Sequence, residues 1–282
     1  MKIGILTVHN APNYGALLQC YALQTVLGRL GNNDVEVINY KYFANNEHWS
    51  TFPIFDYKSA RGIRPKIIII LKFILFFPYR IKKRRKFKEF SEKNLKISKK
   101  EYDFKNCSFG SEYDFFVIGS DQLWSKRIFG MEPVYWGNFK RANNAKVLTY
   151  AVSAGTVEAY NQNDRDYMQK SLSNFSSLSV REDVLKTYIE SLTSKPVMTV
   201  LDPTLLLESD FYVAMAKKPK QCPERFVLVY RVGENALIDK MAEVAAEKFS
   251  AKIVEIGNAM ITHKMRHPHY IQFTPTGVYV VF

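Results

Sequence analysis

The chain has 282 residues, 47% of them hydrophobic and 24% charged, a globular composition with enough apolar material for one large or two modest cores. The formal charge is +13, but residues 61–100 hold 15 Lys and Arg against two Glu, which leaves 25 basic and 25 acidic residues elsewhere. The basicity therefore belongs to one segment rather than to the fold, and nucleic acid is not the expected partner.

The cysteines, Cys20, Cys107 and Cys222, are odd in number and far apart. They form neither a metal spacing nor a disulfide framework, which favours a reducing compartment. Lys2 is followed only by a strand-length apolar run without a cleavage-type region, so a signal peptide is not expected and the predicted location is cytoplasmic.

Residues 2–8 (KIGILTV) have the length and β-branched content of a buried strand. The polar turn HNAPNYG leads into residues 14–30, where apolar side chains recur at helical spacing, and Gly31 suits the helix end. Residues 35–40 (VEVINY) are a second strand. A strand–helix–strand unit of this kind opens a doubly wound α/β sheet with a right-handed crossover. Ligands bind such sheets at the carboxyl ends of the strands. His9, Asn10, Asn13, Tyr14 and Gly15 fall there. Asn10 and Asn13 also suit plain turn chemistry, since Asn caps helices and tolerates left-handed backbone.

Residues 41–64 read as irregular and aromatic, with His48 and Trp49 in a surface loop. Residues 67–77 (IIIILKFILFF) predict a short apolar helix, too short to span a bilayer. Pro78 is expected to separate it from a polybasic helix over 79–96. This basic helical insert, residues 65–100, fits an anionic membrane surface, where each Lys or Arg contributes about 1 kcal/mol. It fits equally a core helix followed by a solvated basic one. An anionic polymer is less suited, because aromatic interleaving of the nucleic-acid-binding kind is missing.

Further strands again end in polar groups. Residues 113–120 (YDFFVIGS) run into Asp121, Gln122 and Trp124. Gly119 allows close backbone approach, and Asp121 is a candidate base or hydroxyl-orienting group, or a helix cap. Residues 146–153 (KVLTYAVS) end at Ser153 and Gly155, and a helix is expected over 161–175. Residues 177–180 form a short strand closing on Arg181 and Glu182, and the next helix starts there. Arg181 at such a junction suits a phosphate or carboxylate, or a surface salt bridge to Glu182 or Asp183. Residues 196–201 form another strand, capped by Asp202-Pro203-Thr204. Residues 208–225 read as a linker, and 226–230, 235–249 and 252–256 as strand, helix and strand of a second unit. The predicted domains are thus 1–207 and a partial one over 226–282. His263, His267 and His269 lack acidic or cysteine partners nearby in sequence, so they are not read as a metal site.

HNAPNYGALLQCYALQ, VIGSDQLW, TYAVSAG, LSVRED and VLDPTLLL occur in the order of the marks of the bacterial polysaccharide pyruvyl transferases, and over roughly residues 1–260 the chain resembles that family. The resemblance implies Rossmann-like parallel sheets with flanking helices in a two-domain arrangement similar to GT-B glycosyltransferases, the second domain incomplete here. It implies transfer of the enolpyruvyl unit of phosphoenolpyruvate onto two hydroxyls of a sugar as a ketal, in synthesis of cell-surface polysaccharide or exopolysaccharide. The acceptor would be a sugar or lipid-linked glycan, no cofactor or metal is implied, and a lipid-linked acceptor would bring the protein to the inner face of the plasma membrane. Carried onto this sequence, Arg181 is assigned to the anionic groups of the donor and Asp121 to general acid–base work or acceptor orientation. His9, Asn10, Asn13, Tyr14, Gly15, Gly119, Ser120, Gln122, Ser153, Gly155, Glu182 and Asp202 are assigned to substrate binding. Members usually continue to a Ser-Phe-His-Gly or Arg-Leu-His-Gly motif, which finds no match here, and FTPTGVYVVF closes the chain. The expectation is a truncated or frame-shifted member lacking that motif's contribution. Two other readings use the same residues: a non-catalytic sugar or nucleotide-sugar binding module, and a membrane-surface scaffold built on the basic insert.

Overall fold

In the computed structural model, described for residues 1–42, 52, 54–142, 144–216, 222–231, 235–257 and 269–273, the chain divides into two units, Met1–Glu208 and Ser209–Phe282.

The first unit is organised on a parallel sheet whose buried strands are the apolar runs of the sequence. β1 (Lys2–Leu6) is followed by α1 (Tyr14–Arg29), β2 (Asp34–Lys41), α2 (Ile54–Ser59), α3 (Ile63–Asn94), β3 (Ile97–Asp103), β4 (Phe115–Asp121) and α4 (Lys126–Phe129). Then come β5 (Lys146–Val152), α5 (Gln162–Ser171), β6 (Leu178–Val180), α6 (Asp183–Glu190) and β7 (Val197–Thr199). The sheet order is β3-β2-β1-β4-β5-β6-β7, every pair parallel. This is the doubly wound order, which reverses between β1 and β4. The carboxyl ends of those two strands form the crevice in which such sheets hold ligands.

The central strands are dry because both faces are covered. Ile5, Leu6, Phe116, Ile118 and Val152 are fully buried. α1 starts where Asn13 caps it, its Oδ1 accepting the Ala16 N–H at 3.2 Å. Beside the sheet, Trp124 and Trp136 stack at 4.4 Å and are fully buried, with Trp124 Nε1 donating to the Tyr135 carbonyl at 2.8 Å.

Three features depart from the sequence reading. Pro78 does not end a helix: α3 runs through it as one 32-residue helix. A proline removes one backbone hydrogen bond, and the turns on either side hold the helix together. The basic insert does not reach residue 100 as a helix, because residues 97–103 (ISKKEYD) form β3. β3 is an edge strand, where lysines are the ordinary protection against stray pairing, so its polar sequence hides it. Residues 54–59, expected to be irregular, form α2; His48 and Trp49 lie outside the described residues.

The second unit contains α7 (Ser209–Met215), β8 (Phe226–Arg231), α8 (Ala236–Lys248), β9 (Lys252–Gly257) and β10 (Ile271–Phe273). Its sheet order is β10-β9-β8, again parallel. α7 falls within the stretch 208–225 read as a linker. The third strand, β10, had no counterpart in the sequence reading. Val229, Ala242, Ile253 and Tyr270 form a small core. Arg231, its side chain wholly buried, binds Glu255 Oε1 through Nε at 3.2 Å and pairs with Asp239 through Nη2.

Candidate active site

The carboxyl ends of β1, β4, β5 and β6 converge on one polar cluster. Thr7, just beyond β1, donates from Oγ1 to the Ser120 carbonyl at 3.0 Å and accepts from Gln19 Nε2 at 2.9 Å. Gln19 comes from α1, and its buried Oε1 meets no hydrogen-bond partner among the described residues. Neither Thr7 nor Gln19 is among the sequence candidates: Thr7 belongs to the apolar run of the first strand and Gln19 to α1, on either side of the turn noted for its Asn and Gly.

At the end of β4 the backbone is unusual. Gly119 has φ +129°, and a Cβ there would lie 2.1 Å from the Tyr150 carbonyl oxygen. Only glycine fits this approach. Asp121 follows with φ +88°, and Ala151 on β5 has φ +49°. Left-handed non-glycine residues cost about 1–3 kcal/mol each and cluster at functional sites. The turns are laced together: Ser153 N–H donates to the Asp121 carbonyl at 2.9 Å, and Trp124 N–H to the Ser153 carbonyl at 3.0 Å. Gly155 has φ +70° and lies under Gln122, whose Oε1 would be 3.1 Å from an added Cβ.

The charged centre joins residues far apart in sequence. Arg181 donates from Nε to Glu182 Oε1 at 2.9 Å and from Nη1 to Asp202 Oδ2 at 3.0 Å. Its Nη2 edge meets no partner among the described residues. Asp202 also accepts from the Thr204 N–H at 3.0 Å and the Thr204 hydroxyl at 2.7 Å. Ser120 Oγ is buried, 3.1 Å from the Ala151 carbonyl and 3.3 Å from Asp202 Oδ2; its single proton serves one of them at a time.

Two carboxyls in this cluster are tuned in opposite directions. Burial pushes Asp121 above the ordinary carboxylate range, and the charge of Asp202 adds to it; the Gln122 N–H at 2.7 Å and the Arg181 guanidinium oppose the shift. For Asp202, burial works the same way, but the Thr204 hydrogen bonds and Arg181 outweigh it and hold the group below its ordinary value. A pair of acids with separated proton affinities is the arrangement that general acid–base chemistry uses. Burial disfavours the charge of Arg181, and Glu182 and Asp202 more than restore it. The Cys20 thiol on α1 is pushed up by burial and by Asp121, which places α1 against the same cluster.

Of the sequence candidates, Asp121, Arg181, Gly119, Ser120, Gln122, Ser153, Gly155, Glu182 and Asp202 come together here. The β1–α1 turn serves other ends. His9 is buried, its Nδ1 3.2 Å from the Thr7 carbonyl and its Nε2 3.4 Å from Asn39 Oδ1, and burial lowers its pKa. Asn13 caps α1. The Tyr14 ring lies 4.9 Å from that of Phe87 on α3. Asn10 and Gly15 are exposed. In the second unit, His269 Nε2 lies 3.8 Å from Glu243 Oε1, while His263 and His267 lie outside the described residues. Among the described residues no group of three His, Cys, Asp or Glu side chains is placed to hold a metal ion.

Comparison with known proteins adds three findings. No curated protein matches the chain. The solved structure of UDP-N-acetylglucosamine 2-epimerase from Rickettsia bellii is similar over 98% of this chain and 69% of its own, at 6% identity and a TM-score of 0.43. A family model, polysaccharide pyruvyl transferase, matches residues 13–278, nearly the whole chain and all the motifs at the strand ends except the first few residues of the opening one. The chain belongs to the polysaccharide pyruvyl transferase family.

Proposed function

We propose that the chain transfers pyruvate from phosphoenolpyruvate to two hydroxyls of a sugar, in the synthesis of a cell-surface polysaccharide or exopolysaccharide. The observation that carries the reading is the polar cluster at the switch-point edge of the sheet in a member of this family, where the half-buried Asp121, its proton affinity raised by burial, stands with the Arg181 guanidinium. The reaction is redox-neutral and needs no cofactor. A proton is added to the donor's methylene carbon and leaves a cationic centre at the neighbouring carbon. One sugar hydroxyl adds there and loses its proton, the carbon–oxygen bond to phosphate breaks, and the second hydroxyl adds and loses its proton. One of the two hydroxyl protons balances the new methyl group and the other leaves on phosphate.

Asp121 is the proposed acid for the methylene carbon, matched to the task by its raised proton affinity. Asp202, ionised and adjacent to Ser120, is suited to receive hydroxyl protons. Ser153, Gln122 and the Gly155 backbone are proposed to orient the acceptor, a sugar or lipid-linked glycan. Two carboxylates, Glu182 and Asp202, already pair with the Arg181 guanidinium, so the cluster repels a doubly charged phosphate. We therefore assign the Nη2 edge of Arg181 to the donor's carboxylate and leave its phosphate to cations outside this cluster. Glu182 opposes Arg181 and would be displaced or screened when donor binds.

The test is release of phosphate from phosphoenolpyruvate in the presence of acceptor glycans, together with donor binding by calorimetry. Wild type turns over and Asp121→Asn does not. Arg181→Ala weakens donor binding at least about ten-fold, the effect of losing roughly 1.4 kcal/mol. Donor affinity unchanged in Arg181→Ala would remove that residue from the donor site.

A further inference from the structure

We propose that the amino-terminal half of α3 is a docking surface for an anionic lipid bilayer. This stands apart from the catalytic reading.

α3 has two unlike halves. Its carboxyl-terminal half is fixed to α1 and the turn before it. Phe87 is buried against Tyr14, Phe90 meets the edge of Tyr21 at 6.5 Å, and Ser91 Oγ donates to the His9 carbonyl at 3.1 Å. Its amino-terminal half exposes a row of large apolar side chains. Ile63, Ile67, Ile70, Leu71 and Ile74 recur at spacings of three, four and seven, which puts them on one face of the helix. Ile63 is 77% exposed, Leu71 60% and Ile74 62%. An apolar row of this length left in water is unusual for a globular protein and marks an interaction surface.

Charge decides the occupant. No acidic residue occurs between positions 57 and 88, while Arg64, Lys66, Lys72, Arg80 and the run Lys82–Lys86 flank or follow the apolar row. A second copy of the chain would oppose two such segments, each with 15 basic residues against two acidic ones. Nucleic acid would satisfy the charge and leave the apolar row wet. The interface of an anionic bilayer satisfies both, with apolar side chains at the acyl boundary and Lys and Arg among the headgroups. Insertion across the bilayer is not implied, as no helix among the described residues is long and apolar enough to cross a membrane. The anchoring contacts of α3 reach the turn directly after β1, so a docked helix would hold the switch-point edge of the first unit in a fixed relation to the lipid.

The experiment is flotation of the full chain with vesicles of phosphatidylcholine and phosphatidylglycerol, against vesicles of phosphatidylcholine alone. Wild type floats with the anionic vesicles and stays behind with the neutral ones. Leu71→Ser with Ile74→Ser abolishes flotation, and Arg64→Gln with Lys72→Gln and Lys82→Gln lowers the partition coefficient about a hundred-fold. All five side chains are exposed, so tryptophan fluorescence and far-ultraviolet circular dichroism remain those of wild type. The proposal is overturned if wild type does not float, or if either set of variants floats as wild type does. It is equally overturned if the apolar variants instead disperse a dimer seen in sedimentation without affecting any lipid binding.

Discussion

Gly119→Ala tests how tightly the candidate site is built into the sheet. Gly119 pairs with Tyr150 in the β4–β5 register. An alanine Cβ would stand 2.1 Å from the Tyr150 carbonyl oxygen and 3.0 Å from its carbon, and opening the first contact to 3.0 Å requires a shift of at least about 0.9 Å. The obstacle is backbone hydrogen-bonded into a central strand, not the end of a flexible side chain. The φ of +129° adds strain of about 1–3 kcal/mol for any residue with a Cβ, and overpacking adds about 1–3 kcal/mol. The expected loss is about 4 kcal/mol, a large part of the stability of a domain this size. Urea unfolding followed by tryptophan fluorescence reads the first unit, because Trp124 and Trp136 stack within it. The midpoint should fall sharply with little change in slope. A loss below about 1 kcal/mol would refute the close approach, and with it the backbone geometry that sets Ser120 and Asp121.

Three other substitutions probe the rest of the account. Asp121 holds its proton more tightly when folded than when unfolded, so it lowers stability as pH rises above the ordinary value of about 4. Asp121→Asn should therefore raise Tm at neutral pH, with the gain vanishing near pH 4; a variant that loses stability at neutral pH contradicts this. Asp202 is the opposite case: its lowered pKa contributes stability above the ordinary carboxylate value, which is lost as pH falls through its folded value. Arg181→Met removes part of that contribution, about 1 kcal/mol for a partly exposed pair, and the difference from wild type should close in acid. Pro78→Ala restores a helical hydrogen bond in α3 and should slow amide exchange across residues 74–82 by strengthening the helix by up to about 3 kcal/mol. Exchange as fast as in wild type would mean that the proline costs the helix nothing.

Apart from β3, the strands of the first unit are legible because they are mainly apolar runs ending in polar residues, the pattern of a parallel sheet covered on both faces. For the same reason the strand-end residues Asp121, Ser153 and Arg181 could be picked out before any geometry was known. β3 and β10 were not legible, since an edge strand written ISKKEYD and a three-residue strand carry no such pattern. Pro78 misled because the local rule was overridden by the helix on both sides of it. Partnerships were the least legible feature. The pairing of Arg181 with Asp202 spans 21 residues and that of Thr7 with Ser120 spans 113; neither leaves a trace in local sequence. The turn after β1 was read mostly for binding, yet His9, Asn13 and Tyr14 are taken up by burial, capping and the anchor of α3. What that stretch contributes to the cluster is Thr7 and Gln19, which hold the Ser120 peptide in place.

Asp121 is proposed to supply the proton in pyruvyl transfer. The most direct test is the reaction of phosphoenolpyruvate with an acceptor glycan in deuterium oxide, followed by nuclear magnetic resonance. The expected result is a pyruvate ketal whose methyl group carries one deuterium, phosphate released in equal amount, and a rate lower by about 10²–10⁴ in Asp121→Asn. Phosphate released without ketal, or an Asp121→Asn rate equal to wild type, would contradict it.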